Sequence, residues 1–258
     1  MIQLDHVTYS YPGQGARPVF QGFSWEAGRS DAWAVLGPSG CGKTTLLYLL
    51  AGLRAPQSGS VLIDGQALSR PRPQTGLILQ EYGLLPWATV RQNAELGLQI
   101  RGFYGPDGTH APREPHLKVG GDQVSAWLKR LGLAGLAGQF PQQLSGGQRQ
   151  RTAIARTLVL HPDLLLMDEP FSSLDAPTRE ALQALTLELC AEHNLTLVIV
   201  THAIEEAVVL GKKILLLGHP PNREALVLEN PLAGQPGFRD TAQYLDVCRE
   251  LRGRLEER

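Results

Sequence analysis

Apolar residues along the chain fall into two kinds of run. Ala32–Leu36, Leu77–Leu79, Leu164–Met167, Leu197–Val200 and Ile214–Leu217 are short, continuous and rich in Leu, Ile and Val. Runs without polar alternation predict strands buried on both faces. Longer amphipathic runs such as Lys43–Ala51 and Ala176–Glu192 lie between some of them and predict helices. Strands alternating with helices predict an α/β fold with a mostly parallel sheet. The opening departs from this pattern. Ile2–Ser10 and Val19–Trp25, separated by a turn at Tyr11–Pro18, read as an antiparallel edge pair ahead of the main sheet.

The middle departs again. Val90–Arg101, Asp122–Leu131 and Gly146–Leu160 read as helices with little strand between them. Residues 86–160 are therefore expected to form an inserted helical subdomain, with 1–85 and 161–258 supplying the core. Inside the insertion, Gly102–Gly121 shows no periodicity and carries Gly105, Pro106, Gly108, Pro112 and Pro115. A stretch of ~20 such residues is uncommon in a compact domain and reads as a length-variable surface loop. Phe238–Arg258 reads as a final amphipathic helix with a solvated charged face.

Composition narrows the function classes. The 258 residues, 43% of them hydrophobic, suffice for a sizeable core and rule out wholesale disorder. Lys and Arg number 24 against 25 Asp and Glu, for a formal net charge of −1. No basic field exists to hold nucleic acid by electrostatics alone, and no nucleic-acid partner is expected. Cys41, Cys190 and Cys248 make no CxxC pair, which argues against a zinc ribbon or a disulfide framework and for reduced thiols. No run approaches the ~18–20 apolar residues that span a bilayer, and Met1–Asp5 lacks the pattern of a signal peptide. A soluble protein is expected, unless a partner holds it at a membrane.

Gly37-Pro38-Ser39-Gly40-Cys41-Gly42-Lys43-Thr44 fits GxxxxGK[ST], between a predicted strand and a predicted helix. Glycines at this spacing let backbone N–H groups wrap a phosphate chain. Lys43 would reach the outer phosphates, the Thr44 hydroxyl would bind Mg²⁺, and the helix adds its positive end. Cys41 inside this loop reads as small filler, although an exposed thiol beside a helix N-terminus would be reactive. Leu164-Leu165-Leu166-Met167-Asp168-Glu169 is an apolar strand ending in two acids. Asp168 at the strand end suits the Mg²⁺ shell, and Glu169 is placed to polarise an attacking water. No Asn-Lys-x-Asp string for guanine selection occurs, so a GTPase falls away.

Leu144-Ser145-Gly146-Gly147-Gln148 then precedes a helix, with Ser145 as its expected N-cap. With this string in place the chain resembles the ATPase subunits of ABC transporters, over nearly its whole length and with the motifs in the family's order. The phosphate loop is Gly37–Thr45, the Q-loop glutamine matches Gln80, the signature is Leu144–Gln148, the D-loop matches Ser173-Leu174-Asp175, and the switch histidine matches His202. The resemblance implies a P-loop NTPase (RecA-like) core with an antiparallel β edge and an inserted helical subdomain. It also implies ATP and Mg²⁺ as ligands, and two cassettes paired head to tail. Each ATP would lie between the phosphate loop of one and Ser145, Gly146, Gly147 and Gln148 of the other.

Residue by residue, the resemblance assigns Tyr11 to stacking on adenine, and Lys43 with the loop Gly37, Pro38, Ser39, Gly40, Cys41, Gly42, Thr44 and Thr45, through every backbone N–H but the one Pro38 lacks, to the phosphates. Thr44, Gln80 and Asp168 surround Mg²⁺, Glu169 activates the water, His202 contacts the γ-phosphate, and Asp175 signals across the dimer. Two readings from other classes compete. A soluble ABC ATPase of repair or translation would show a long coiled coil or a second cassette, and neither is visible. A binding module with little hydrolysis would lack a motif residue, and none is missing.

Within the family, Glu81-Tyr82-Gly83-Leu84-Leu85-Pro86-Trp87 and Phe171–Glu180 look like importers of the nitrate, sulfonate and taurine group. Importers of thiamine precursors and other solutes share this style. The resemblance implies permease partners, an extracytoplasmic solute-binding protein acting indirectly, and a peripheral place on the cytoplasmic face of the membrane. The run Gly28-Arg29-Ser30-Asp31-Ala32-Trp33 and the long 102–121 insertion depart from the family's usual pattern. After Leu217 only about 40 residues follow, too few for an appended regulatory domain.

Overall fold

The computed structural model describes residues 1–13, 17–103 and 121–256. The expected loop at Gly102–Gly121 lies almost wholly outside the described residues. The five continuous apolar runs become β3 (Ala32–Leu36), β6 (Thr75–Ile78), β7 (Leu164–Asp168), β8 (Thr196–Thr201) and β9 (Lys213–Leu216). With β10 (Leu226–Glu229) they form one six-stranded sheet in the order β10-β9-β3-β8-β7-β6. All neighbours are parallel except β10, which runs antiparallel to β9.

The continuous hydrophobicity has a visible cause. Successive residues of a strand face opposite sides, and both sides are covered. Ala32, Ala34 and Leu36 point into one core, with Ile78, Met167 and Ile199. Trp33 and Val35 point into a second core, with Leu166, Val198 and Val200. The second core is filled by α1 (Lys43–Leu50) through Leu46, Leu47, Leu49 and Leu50. The first core is filled by helices, among them α4 (Gly146–Leu158), α5 (Ala176–Glu192) and α6 (Ile204–Leu210). Helices on both sides of a fully apolar sheet are the packing such runs demand.

The antiparallel pair β1 (Ile2–Tyr9) and β2 (Phe20–Ala27) forms as expected, ahead of the main sheet. It belongs to a separate four-stranded sheet, β2-β1-β4-β5, that closes over the far side of α1. Its other strands are β4 (Ser58–Ile63) and β5 (Gln66–Ala67), with Ile2 opposite Ile63. β4 begins Ser-Gly-Ser, so its alternation is too short to read from the sequence.

In the middle, α2 (Val90–Phe103), α3 (Gly121–Arg130) and α4 pack against one another. α4 stops at Leu158, two residues short of the expected end. Pro162 follows closely and disfavours helical geometry in the residue before it; His161 takes a left-handed φ of 49°. The expected C-terminal helix is divided. A short turn of 3-10 helix at Phe238–Asp240 precedes α7 (Ala242–Glu256), which starts where the Thr241 hydroxyl accepts from the Tyr244 N–H at 3.2 Å. Cys248 and Leu251 give α7 its buried side. Among the described residues no helix is long and apolar enough to cross a membrane.

Candidate functional site

Parallel pairing places four loops side by side. Leu36 pairs with Thr201, Val200 with Asp168, and Met167 with Ile78, so β3, β8, β7 and β6 all end along one edge. The loops leaving that edge carry the phosphate loop, His202, Glu169 and Gln80. The crevice at the carboxyl ends of a parallel sheet is where such folds bind ligands.

The phosphate loop connects β3 to α1. Gly42, the N-cap of α1, has a left-handed φ of 108° and no side-chain cap bond. The amides of the first turn are therefore left without a capping side chain, as an anion site needs. A Cβ at Gly42 would sit 2.4 Å from Val19 Cγ1, so no other residue fits. Lys43 is only 8% exposed. Its ammonium donates to the carbonyls of Gly37 at 2.8 Å and Pro38 at 3.0 Å, and among the described residues it makes no ion pair. It also donates to Cys41 Sγ at 4.0 Å. A nearly buried cation held by such neutral acceptors is short of an anion, and a phosphate chain in this loop supplies one.

Cys41 is fully buried in the loop. Burial pushes its thiol up, and the neighbouring Lys43 charge only partly opposes this. The filler role stands and the reactive-thiol alternative does not, because the sulfur is neither exposed nor easily ionised. Cys190 and Cys248 are buried as well, and burial holds the Cys190 thiol up to about 12. A thiol reagent is therefore expected to react slowly with native protein and to titrate three cysteines only after unfolding. Rapid modification of one thiol in the native state, mapped to Cys41, would contradict this placement.

Asp168 closes β7 and accepts the Thr44 hydroxyl at 3.3 Å. Burial pushes its carboxyl above the usual carboxylate range; the Thr44 bond and the Lys43 charge oppose the rise, and Glu169 adds to it. A hydroxyl beside a carboxylate starved of positive charge is a hard-oxygen donor set suited to Mg²⁺. Glu169 has a left-handed φ of 44°, rare for a residue with a side chain. The turn breaks the strand's alternation directly after Asp168, and the Glu169 N–H bonds the Val200 carbonyl at 2.9 Å. Its carboxylate lies 3.4 Å from Gln80 Nε2 and 3.1 Å from His202 Nδ1.

Tyr11, Ser39, Gly40, Gly42, Lys43, Thr44, Thr45, Gln80, Glu169 and His202 line one cleft of about 850 Å³. Tyr11, 41% exposed, bonds Thr45 Oγ1 through its hydroxyl at 2.9 Å. Ser145, Gly146, Gly147, Gln148 and Asp175 do not line this cleft. They form a unit of their own. Ser145 and Gln148 make a reciprocal capping box at the start of α4. A Cβ at Gly147 would meet Thr178 Cγ2 at 2.6 Å, so glycine lets α4 approach α5. Asp175 caps α5 by accepting the Thr178 N–H at 3.1 Å, and that bond holds its carboxyl low.

Sequence reasoning missed several contributors. Val19 lines the cleft, yet a lone Val in a Gly/Pro-flanked turn carries no signal. Arg156 reaches from α4 to the carbonyls of Gly83 and Tyr82, and Tyr82 bonds Ser173 at 2.8 Å. These contacts tie the Q-loop to α4 and to the D-loop segment. Only an arginine on the expected α4 hinted at them. Asn222 was also missed.

Comparison with known proteins identifies the family and the fold. A family described as ABC transporter matches residues 20–172. The chain is 39% identical to the taurine import ATP-binding protein TauB of Chromobacterium violaceum, over 95% of this chain and 88% of that protein. It is 34% identical to an uncharacterised ABC transporter ATP-binding protein, MJ0412, of Methanocaldococcus jannaschii, over 99% of this chain and 91% of that one. Among solved structures, the dimeric ATP-binding cassette MJ0796, in a post-hydrolysis state bound to ADP and phosphate, superimposes with a TM-score of 0.73. It is 29% identical and covers 89% of this chain and 98% of its own.

Proposed function

Since the chain belongs to the ABC transporter family as an ATP-hydrolysing subunit, we propose that it powers import of a small organic anion, a sulfonate of the taurine type, through partner permeases. The observation that carries the chemistry is the meeting of Lys43, Thr44, Gln80, Glu169 and His202 in one cleft beside Asp168. The loop amides and Lys43 bind the phosphates. Thr44, Asp168 and Gln80 would hold Mg²⁺, which supplies positive charge for the phosphate oxygens. Glu169 accepts a proton from the attacking water, and His202, held beside Glu169, contacts the terminal phosphate. Tyr11 stacks on the adenine after releasing Thr45.

The signature residues lie outside the cleft of their own chain, which supports a head-to-tail homodimer. In that pairing the partner's α4 N-terminus, with its aligned amides, completes each site. The segment 86–160 serves as the arm that carries the signature. The permease contact is assigned to the turn before α2. Asn93, fully buried, donates to the carbonyls of Leu85, Ala88 and Thr89 and accepts the Leu85 N–H, holding the turn rigid. Trp87 on that turn is 73% exposed. A large apolar side chain held in water by a built turn fits a docking role. A permease contact of this kind supports a peripheral position on the cytoplasmic face of the membrane.

Affinity purification of the tagged chain from gently solubilised membranes tests the reading. A polytopic membrane protein is expected in stoichiometric amount. In proteoliposomes its ATPase rate is expected to rise when the cognate binding protein presents taurine. A dimer free of membrane proteins, or ribosomal or repair partners, would remove transport and leave the ATPase standing. Stimulation by an unrelated solute would remove only the sulfonate.

A further inference from the structure

Between β9 and β10 the chain runs His219-Pro220-Pro221-Asn222 and passes beneath the phosphate loop. Asn222 is 5% exposed, and every polar group it has is engaged. Its N–H donates to the Val19 carbonyl at 2.9 Å, and its carbonyl accepts the Gln21 N–H at 2.9 Å. Its side-chain oxygen accepts the Gly218 N–H at 2.9 Å. Its side-chain amide donates to Val19 O at 3.2 Å and to Cys41 O at 2.8 Å. One side chain thus joins the end of β9, the lip of β2 and the phosphate loop, three segments far apart in sequence.

The bond to Cys41 bears on chemistry. In a trans peptide the carbonyl and the following N–H point in opposite directions. Holding the Cys41 carbonyl on the buried side therefore turns the Gly42 N–H toward the cleft. This peptide needs such an anchor. It precedes Gly42 at φ 108° and follows Gly40 at φ 77°, and glycines place little steric resistance against a flip of the peptide plane. We propose that Asn222 is a positioning residue of the nucleotide site, holding the Cys41–Gly42 peptide so that its N–H faces the phosphates. The inference rests on the ATP-binding reading of the cleft. The same amide holds Val19, which packs against Gly42 from the other side.

Asn222→Asp keeps the shape and sets a carboxylate oxygen against two carbonyl oxygens. Asn222→Ala removes both donors without adding charge, and Asn222→Ser retains one. ATP hydrolysis by the full chain is measured for each below its melting midpoint, so that a variant that folds less well is still tested folded. KM for ATP is expected to rise about tenfold or more in the Asp and Ala variants and less in the Ser variant, with kcat at saturation largely kept. A lowered melting temperature with unchanged KM would overturn the proposal, because a purely structural role predicts that pattern. So would equal losses of kcat and kcat/KM. If the unaltered chain fails to bind ATP, the reading of the cleft itself falls, an outcome visible before any variant is compared.

Discussion

Glu169→Gln is expected to abolish turnover while leaving ATP bound. The substitution keeps the size of the side chain and the left-handed backbone at φ 44°, so the fold has no reason to change. What it removes is the ability to take a proton. General-base assistance is worth about 10²–10⁴ in rate, and hydrolysis should fall by that order. Binding rests on other groups: the loop amides, Lys43, Thr44 and Asp168, whereas the Glu169 carboxylate meets Gln80 and His202. Affinity for ATP should therefore stay near that of the unaltered chain. Since the uncleaved nucleotide would lie between two chains, the variant should also accumulate as a dimer in ATP. Light scattering of the eluting species with and without ATP shows this. Near-normal phosphate release by the variant would remove Glu169 as the base.

Lys43→Met should have the opposite profile, with binding lost and the fold retained. The ammonium is nearly buried and bonded to the Gly37 and Pro38 carbonyls and to Cys41 Sγ, all neutral acceptors. Removing a buried charge that lacks an acidic partner relieves a desolvation cost, so the melting temperature without nucleotide should hold or rise. Hydrogen bonds to a charged group contribute about 1.5–3 kcal/mol each. Losing those to the phosphates should weaken ATP binding by about a hundredfold. Thermal shift against ATP concentration reads both effects in one titration. A variant that gains stability over the same range of ATP concentration as the unaltered chain would show that Lys43 does not hold the phosphates.

The two variants separate the halves of the site, and the halves differ in how they were legible. The phosphate loop is local. Gly37 to Thr45 are contiguous, and their spacing alone predicts a strand, a turn and a helix that the structure contains. Glu169 is different. Its place after an apolar run suggested an acid at a strand end, but its pairing with His202 and Gln80 joins three separate loops. The order of strands in the sheet brings those loops together, and no residue within a single loop announces it. Only half of the four-stranded sheet was legible, for the same reason. β1 and β2 are adjacent in sequence and pair through a turn, whereas β4 reaches β1 across α1 and carries too few apolar residues to show its period.

Local periodicity and local spacing were sufficient for what depends on neighbours along the chain. Ala32–Leu36 is apolar throughout because both its faces are covered, and that showed in five letters. The exact extent of Ala176–Glu192 was legible because Asp175 caps one end and Pro177 suits the first turn. Tertiary structure alone decided which loops share an edge, which side Glu169 faces and what holds the Cys41 carbonyl. Asn222 lies 181 residues from Cys41, and nothing in a Pro-Pro-Asn turn points to a phosphate loop. Hydrogen bonds between distant segments depend on where the core places each backbone. That placement is a property of the whole packed chain, and a sequence pattern records only its local part.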